Sequence, residues 1–408
     1  MKNTNSINSE LSKFSIEAIK AIVWIEKNTK GKWKYNPKTG LIDIKGHFDC
    51  SDSCLKNFKG VRFGVVTGDF NCGNNSLESL EGAPLEVGGD FKCSSNFITS
   101  LEEGPKKVGG NYNCSCNQIT SLIGCSLEVD GVFDCSNNYL VDLQYAPQKV
   151  YSFFCNDNQL TSLTGGPKEV KNNFDCSNNK LEEIKDSPCH LEGFFECSGN
   201  QITSLIGGPK EVGGNYNCFF NKLTNLIGAP TIVDGCFDCD DNLLISLEGS
   251  PKKVYGFLCR NNKLTNLIGG PEEVEWNYDC SSNKLNTLEG APKEVGDFIC
   301  SNNQLIDLKG APEKIENSFY FNNNKIESLE GPIIQCEYFR AENNSISEKA
   351  LTLIFETMIG KNLPYLLALG LVKDKIHKKT LEKLNKSNKV TEDLVLGVKI
   401  LDRFGTFS

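Results

Sequence analysis

The chain has 408 residues, a formal net charge of −9, 39% hydrophobic residues and 23% charged ones. That balance excludes a wholly disordered chain, and the acidity excludes a generally basic nucleic-acid binder. Nineteen residues are cysteine but only three are histidine. His47, His190 and His377 lie far apart in sequence, which leaves little material for a histidine-based metal or acid/base centre.

Met1 to Glu10 is polar, with neither an arginine-rich nor an apolar signal region. No run of about eighteen apolar residues occurs anywhere. These features predict a cytoplasmic, soluble protein with no membrane partner and with reduced thiols. Over residues 10–28, Leu11, Phe14, Ala18, Ile22 and Ile25 fall at helical spacing, with Ile19 and Val23 widening the stripe. Trp33 to Tyr35 and Leu41 to Ile44 flank an Asn-Pro-Lys-Thr-Gly turn and predict a hairpin. Residues 1–45 are thus expected to form an N-terminal cap of helix plus hairpin.

A repeat begins next. Thirteen cysteines, from Cys50 and Cys72 to Cys280 and Cys300, are spaced 20, 21 or 22 residues apart, and Phe321 and Ala341 continue the slot. Other columns lock to this one. An aromatic stands two residues before it in every turn, as Phe48, Tyr112 or Phe339. Asparagine stands three residues after it from Asn75 to Asn344, with Ser53 the one departure, and Leu or Ile stands five after. This is the signature of a solenoid of about fifteen turns over residues 46–346.

The aromatic-x-Cys tripeptide has a period of two, so ring and thiol face inward on a short parallel strand while the residue between them faces out. Stacked turns put each column on itself at about 4.8 Å. A compact thiol suits such a slot, and a buried carboxamide can satisfy backbone groups orphaned by the bend after it. Stretches such as Leu80-Glu81-Gly82-Ala83-Pro84 forbid a regular helix on the return path.

The pattern Phe-x-Cys-x-x-Asn-x-Leu-x-x-Leu resembles the leucine-rich repeat, with Phe and Cys in the first two Leu slots. The wording Leu-Thr-Ser-Leu-x-Gly-x-Pro-Lys-Glu-Val also resembles short-period arrays of little-characterised tailed-phage and bacterial proteins. The resemblance implies a leucine-rich-repeat-like parallel β array with few or no convex helices. It also implies protein or peptide binding on the concave strand face, as in a phage- or bacterium-encoded inhibitor or effector. Residues 347–408 lose the glycine and asparagine pattern, and Leu351, Leu353, Ile354, Phe355 and Ile359 begin a helical one behind Ser347. They predict a helical cap or small docking domain.

Motifs that suggest chemistry dissolve into the repeat. Cys236 and Cys239 form Cys-x-x-Cys, but register turns Cys239 inward and Cys236 to the opposite face, against a shared metal. Asp238, Asp240 and Asp241 cluster around one strand and read better as a solvated acidic face than as a cation site. No catalytic residue, metal or cofactor is expected.

Charge is uneven. Residues 1–46 carry +5 and residues 345–408 carry +4, which leaves −18 on the array between them. An acidic array attracts a basic partner and repels nucleic acid. Outward strand positions next to the cysteine column supply acids at Glu196, Asp238, Asp240 and Asp241, with Arg260 among them. Apolar residues intrude at Phe154, Phe194, Phe219, Phe220, Leu258, Tyr320 and Tyr338. These twelve predict a concave acidic and aromatic face that binds a basic protein or peptide. The alternatives are a nucleic-acid mimic that occupies a DNA-binding enzyme, and an enzyme with its activity in the C-terminal helical region.

Overall fold

A computed structural model describes residues 15–328, 336 and 338–346. The helical region expected over 347–408, and Leu11 and Phe14 of the first helix, lie outside the described residues. The chain divides into two compact units, Met1–Gln201 with Gly207–Pro209, and Ile202–Ile206 with Lys210–Ser408.

The first unit opens with a helix over Ile16–Asn28, where the Ser15 hydroxyl accepts the Ala18 amide at 3.2 Å as an N-cap. Its inward face is carried by Trp24 and Ile25, while Val23, expected in the apolar stripe, is exposed. Trp24 packs edge-on against Phe48, ring centroids 5.3 Å apart, and so closes the core of the first turn. The hairpin is longer than predicted. Thr29–Asn36 pairs antiparallel with Leu41–Asp49, and the second strand runs straight into the first aromatic position of the repeat.

From there short strands stack in parallel, Phe48 against Phe70, Phe70 against Phe91, and so on to Phe195. In the second unit the same ladder runs from Tyr216 and Phe237 to Phe319 and Phe339. A second ladder of two-residue strands forms on the return path, where Val87 pairs with Val108 and Val274 with Val254. Each unit is therefore a parallel β solenoid with a period near 21 residues. The aromatic, cysteine, leucine and valine columns are buried in both. Phenyl rings stack along the aromatic column, with Phe153 and Phe174 at 5.7 Å and Tyr216 and Phe237 at 5.0 Å.

The asparagine column joins turn to turn. The Asn138 Nδ2 donates to the carbonyls of Cys135 and Ser136 in its own turn and of Cys114 in the turn before, at 3.0 to 3.1 Å. Its Oδ1 accepts the Ile119 amide at 3.0 Å. Other turns repeat the pattern, as at Asn179 and Asn303. The thiols also bond. Cys155 Sγ donates to the Asp175 carbonyl at 3.3 Å and Cys239 Sγ to that of Leu258 at 3.2 Å, so cysteine adds a weak donor that valine or alanine lacks.

Two left-handed columns complete the turn. The second residue after the cysteine has positive φ in every described turn, and is usually Asn, Asp, Ser or Gly. The return path carries the other, mostly glycine. Gly290 has φ +94°, and a Cβ there would lie 2.3 Å from the Leu267 carbonyl carbon.

Replacing Asn138 by Ala leaves the Ile119 amide without a buried partner and takes one of two carboxamide donors from the Cys114 carbonyl, which keeps Asn117. The expected loss is about 3 kcal/mol of unfolding free energy in urea, against under about 1 kcal/mol for exposed Gln118→Ala. Equal effects would show that the carboxamide does not join the turns. A second expectation concerns pH. Burial pushes the Cys50 thiol from 9.0 up to about 12, and the fully buried thiols of the column are raised likewise. Their stabilisation is complete below pH 9 and is lost as pH rises toward 12, because the unfolded thiols ionise first. Each costs about 1.4 kcal/mol per pH unit in that window, so circular dichroism should report unfolding soon after pH 9 in reducing buffer. Secondary structure that persists to pH 12 would contradict the buried ladder.

Candidate functional site

The outward strand positions form the candidate site, and each has a local cause. The residue before the cysteine is often Asp or Asn because it caps the bend. Asp134 Oδ1 accepts both the amide and the hydroxyl of Ser136, at 3.1 and 2.7 Å, and Asp175 does the same for Ser177. Asp238 accepts the amide of Asp240 at 3.0 Å. Acids expected simply to face solvent are thus turn formers as well.

Spacing predicts that the residue after the cysteine points outward. Instead it is serine in eight of the fifteen turns and buried in six of those, Ser115, Ser136, Ser177, Ser198, Ser281 and Ser301. Asp240 occupies this column and is buried, so it is not the exposed acid that the sequence pattern predicts. It binds Arg260, the next member of the column. The Arg260 Nε and Nη2 both lie 2.5 Å from Asp240 Oδ2, and the Arg260 amide donates to Oδ1. Burial pushes the Asp240 carboxyl above its ordinary range while the guanidinium pulls it back, and the same pairing raises Arg260. Arg260 also reaches to within 3.9 Å of Asp279, which burial likewise pushes up.

The predicted residues divide between the units. Phe154 and Phe194, in the first, are half-buried and stack across the intervening turn with centroids 6.4 Å apart; Glu196 caps Ser198 beside them. In the second, Phe219, Asp238 and Leu258 are half-buried, whereas Asp241 and Arg260 are exposed. Tyr320 is half-buried with the Arg340 guanidinium 5.2 Å from its ring centroid, and Tyr338 is exposed.

Phe220 stands apart. It occupies the left-handed column with φ +55°, where its neighbours in the second unit are Asp241, Asn261 and Ser282, and 64% of its surface is exposed. A bulky side chain there is strained by about 1 kcal/mol or more and gains no burial in return. Sequence spacing does not reveal this, because the left-handed column becomes legible only once the bend is seen.

Cys239 is buried and Cys236 half-buried. No cluster of three or more His, Cys, Asp or Glu side chains placed to hold a metal occurs among the described residues. Among the same residues no helix is long and apolar enough to cross a membrane.

Parallel strands of two or three residues, a carboxamide ladder at the bend, two leucine columns and a period near 21 decide the architecture. Each unit is a leucine-rich-repeat-like parallel β solenoid. No protein-family model matches the sequence, and no curated protein matches it. Solved structures with a similar course include YopM from Yersinia enterocolitica WA-314, 16% identical, covering 74% of this chain and 88% of that one at a TM-score of 0.43. The functional domain of InlJ from Listeria monocytogenes, whose structure includes a cysteine ladder, is 19% identical over 69% of each chain at 0.43. The APL1 leucine-rich-repeat domain is 14% identical over 82% and 94% at 0.46. At scores this low the likeness carries no argument, and the description of the fold stands on the strand pairing and the carboxamide hydrogen bonds.

Arg260→Ser leaves the Asp240 carboxylate buried without its cation, with an expected cost of about 3 kcal/mol by thermal or urea unfolding. The double change Asp240→Ser with Arg260→Ser restores the serine column and should recover most of that loss. A double variant as unstable as the single one would show that the pair does not act as a unit.

Proposed function

We propose that this chain is a non-enzymatic interaction module, and that the strand face of its second unit binds a basic protein or peptide around Phe219, Phe220, Asp238 and Asp241. One observation carries this reading. Three successive turns replace the serine column with Phe219, Asp240 and Arg260, while the inward aromatic, cysteine, asparagine and leucine positions of the same turns are unchanged.

Stability does not ask for these replacements. The repeat supplies its own control, since neighbouring turns fold with serine there. The changed residues present a strained, exposed phenyl ring beside a half-buried one, and bring Asp238, Asp240 and Asp279 around a single Arg260. Aromatic rings supply contact area at small entropic cost, and the surplus of carboxylates selects a cationic partner and speeds encounter. The Asp240–Arg260 pair holds the surface in place.

The test separates binding from folding. Phe219→Ser with Phe220→Asn returns both positions to the repeat consensus, and relief of the left-handed strain should raise stability by about 1 kcal/mol. The same variant should weaken binding of a labelled lysine- and arginine-rich peptide at least about tenfold by fluorescence anisotropy, equivalent to about 1.4 kcal/mol. Asp241→Asn should flatten the salt dependence of that binding. Unchanged affinity in the stabilised variant would place the binding surface elsewhere.

A further inference from the structure

On the approach to the strand, the third and fourth residues before the cysteine form two more columns. The fourth is largely glycine: Gly68, Gly89, Gly110 and Gly131 succeed one another by backbone hydrogen bonds in the first unit, and Gly214 and Gly235 in the second. At Gly235 a Cβ would fall 2.5 Å from Asn215 Oδ1, while Tyr151 and Asn172 already break the column in the first unit. In the next two turns of the second unit the column changes to Tyr255 and then Trp276. Tyr255 donates its amide to Gly235, and Trp276 donates to Tyr255 at 2.8 Å. Both rings are about half exposed, at 46% and 49%. They flank the strand on the side opposite Phe220, with Leu258, Arg260 and Asp279 between.

Beside them an acceptor stands without a donor. The third residue before the cysteine usually offers a side-chain oxygen to the same position one turn on: Asn215 accepts from Cys236 and Asp297 from Ser318, each at 3.0 Å. Asn277 has no such partner. The turn from Cys280 to Cys300 is 20 residues long, and its Asp297 amide goes to the Trp276 carbonyl instead, at 2.7 Å. The Asn277 Oδ1 is left buried and unbonded, although the residue is only half-buried. Asn277 follows Trp276 directly in the chain. A buried unpaired carbonyl is costly, so a ligand that donates to it is favoured.

We propose that Tyr255, Trp276 and Asn277 form an arginine-recognising subsite on this strand face. The inference rests on the reading that the second unit binds a basic partner, and it names which cation is preferred. A guanidinium is planar, stacks on aromatic faces and donates several N–H groups in fixed directions. An ammonium shares the charge but lacks both the plane and the fork. Surrounding carboxylates fit a cation. Asp297 bonds to Trp276 through the backbone, and the neighbouring cation, Lys253, is already held by Glu273 and Glu275 at 3.4 and 3.2 Å.

Two labelled peptides, six Arg-Gly repeats and six Lys-Gly repeats, distinguish the outcomes in anisotropy titrations with the full chain at low salt. The arginine peptide should bind about tenfold more tightly, equivalent to about 1.4 kcal/mol. Trp276→Ala and Asn277→Ala should each remove most of that preference while binding of the lysine peptide stays within about twofold. Phe219→Ser with Phe220→Asn should weaken both peptides alike and keep the ratio. Persistence of the arginine preference in Trp276→Ala overturns the subsite and leaves the basic-partner reading intact. Loss of preference in Trp276→Ala with no effect at Phe219 and Phe220 supports the subsite and overturns the Phe220-centred patch. If neither peptide binds, both fall. Circular dichroism and melting of each variant confirm that the fold is retained.

Discussion

The asparagine carboxamide at the bend is the constraint on which the other columns depend. Each solenoid turn must reverse the chain within a few residues of a two-residue strand, and reversal orphans amides and carbonyls on both sides of the bend. One carboxamide answers this for two turns at once, donating to Cys135, Ser136 and Cys114 and accepting from Ile119 in the case of Asn138. Because the bonds reach into the preceding turn, the bend must recur in register. That requirement fixes the left-handed residue just before the asparagine and the small inward group at the cysteine slot. The thiol fits the slot and bonds to the next turn as well.

Constraint on the inside is what makes the outside informative. Where an outward position also obeys the repeat, as with the buried serines or the Asp that caps them, its identity belongs to the architecture. Charge is a poor guide by itself. Lys107 pairs with Glu128, Lys149 with Glu169 and Lys253 with Glu273 along the return-path strands, so many charges there are balanced between adjacent turns. Exposed pairs of this kind contribute little to stability, but they remove that flank from the account of the array's net negative charge.

The inward columns are legible in the sequence because repetition displays them: Phe48 to Phe339, the cysteine series and the asparagine series need only counting. The polar positions are not, for a physical reason. An Asp that caps a bend and an Asp that faces water look alike in a sequence, and Asp134 and Asp175 prove to cap. Asp240 reads as exposed from its spacing and is buried, because its cation lies 20 residues away in the next turn and spacing alone does not pair them. Phe220 is recognisable as aromatic and outward, but its strain is invisible until the bend shows a left-handed column. Tyr255, Trp276 and Asn277 escape the strand pattern altogether. Their signal is a break in the glycine column together with a turn one residue short, and it emerges only when the approach to the strand is aligned as closely as the strand itself.

These features converge on the second unit. A repeat lengthens by copying, and every copy that keeps serine after the cysteine and glycine before the strand shows what folding alone requires. The turns from Tyr216 to Cys280 depart from that standard on both sides of the strand, and they do so with groups that cost the fold something: a strained phenyl ring, a buried carboxylate paired with an exposed arginine, and an orphaned carbonyl. These three features fall within neighbouring turns. They are accounted for together if this surface is shaped by what it touches, with the carboxylates that cap the bends also supplying the field that draws a cationic partner in.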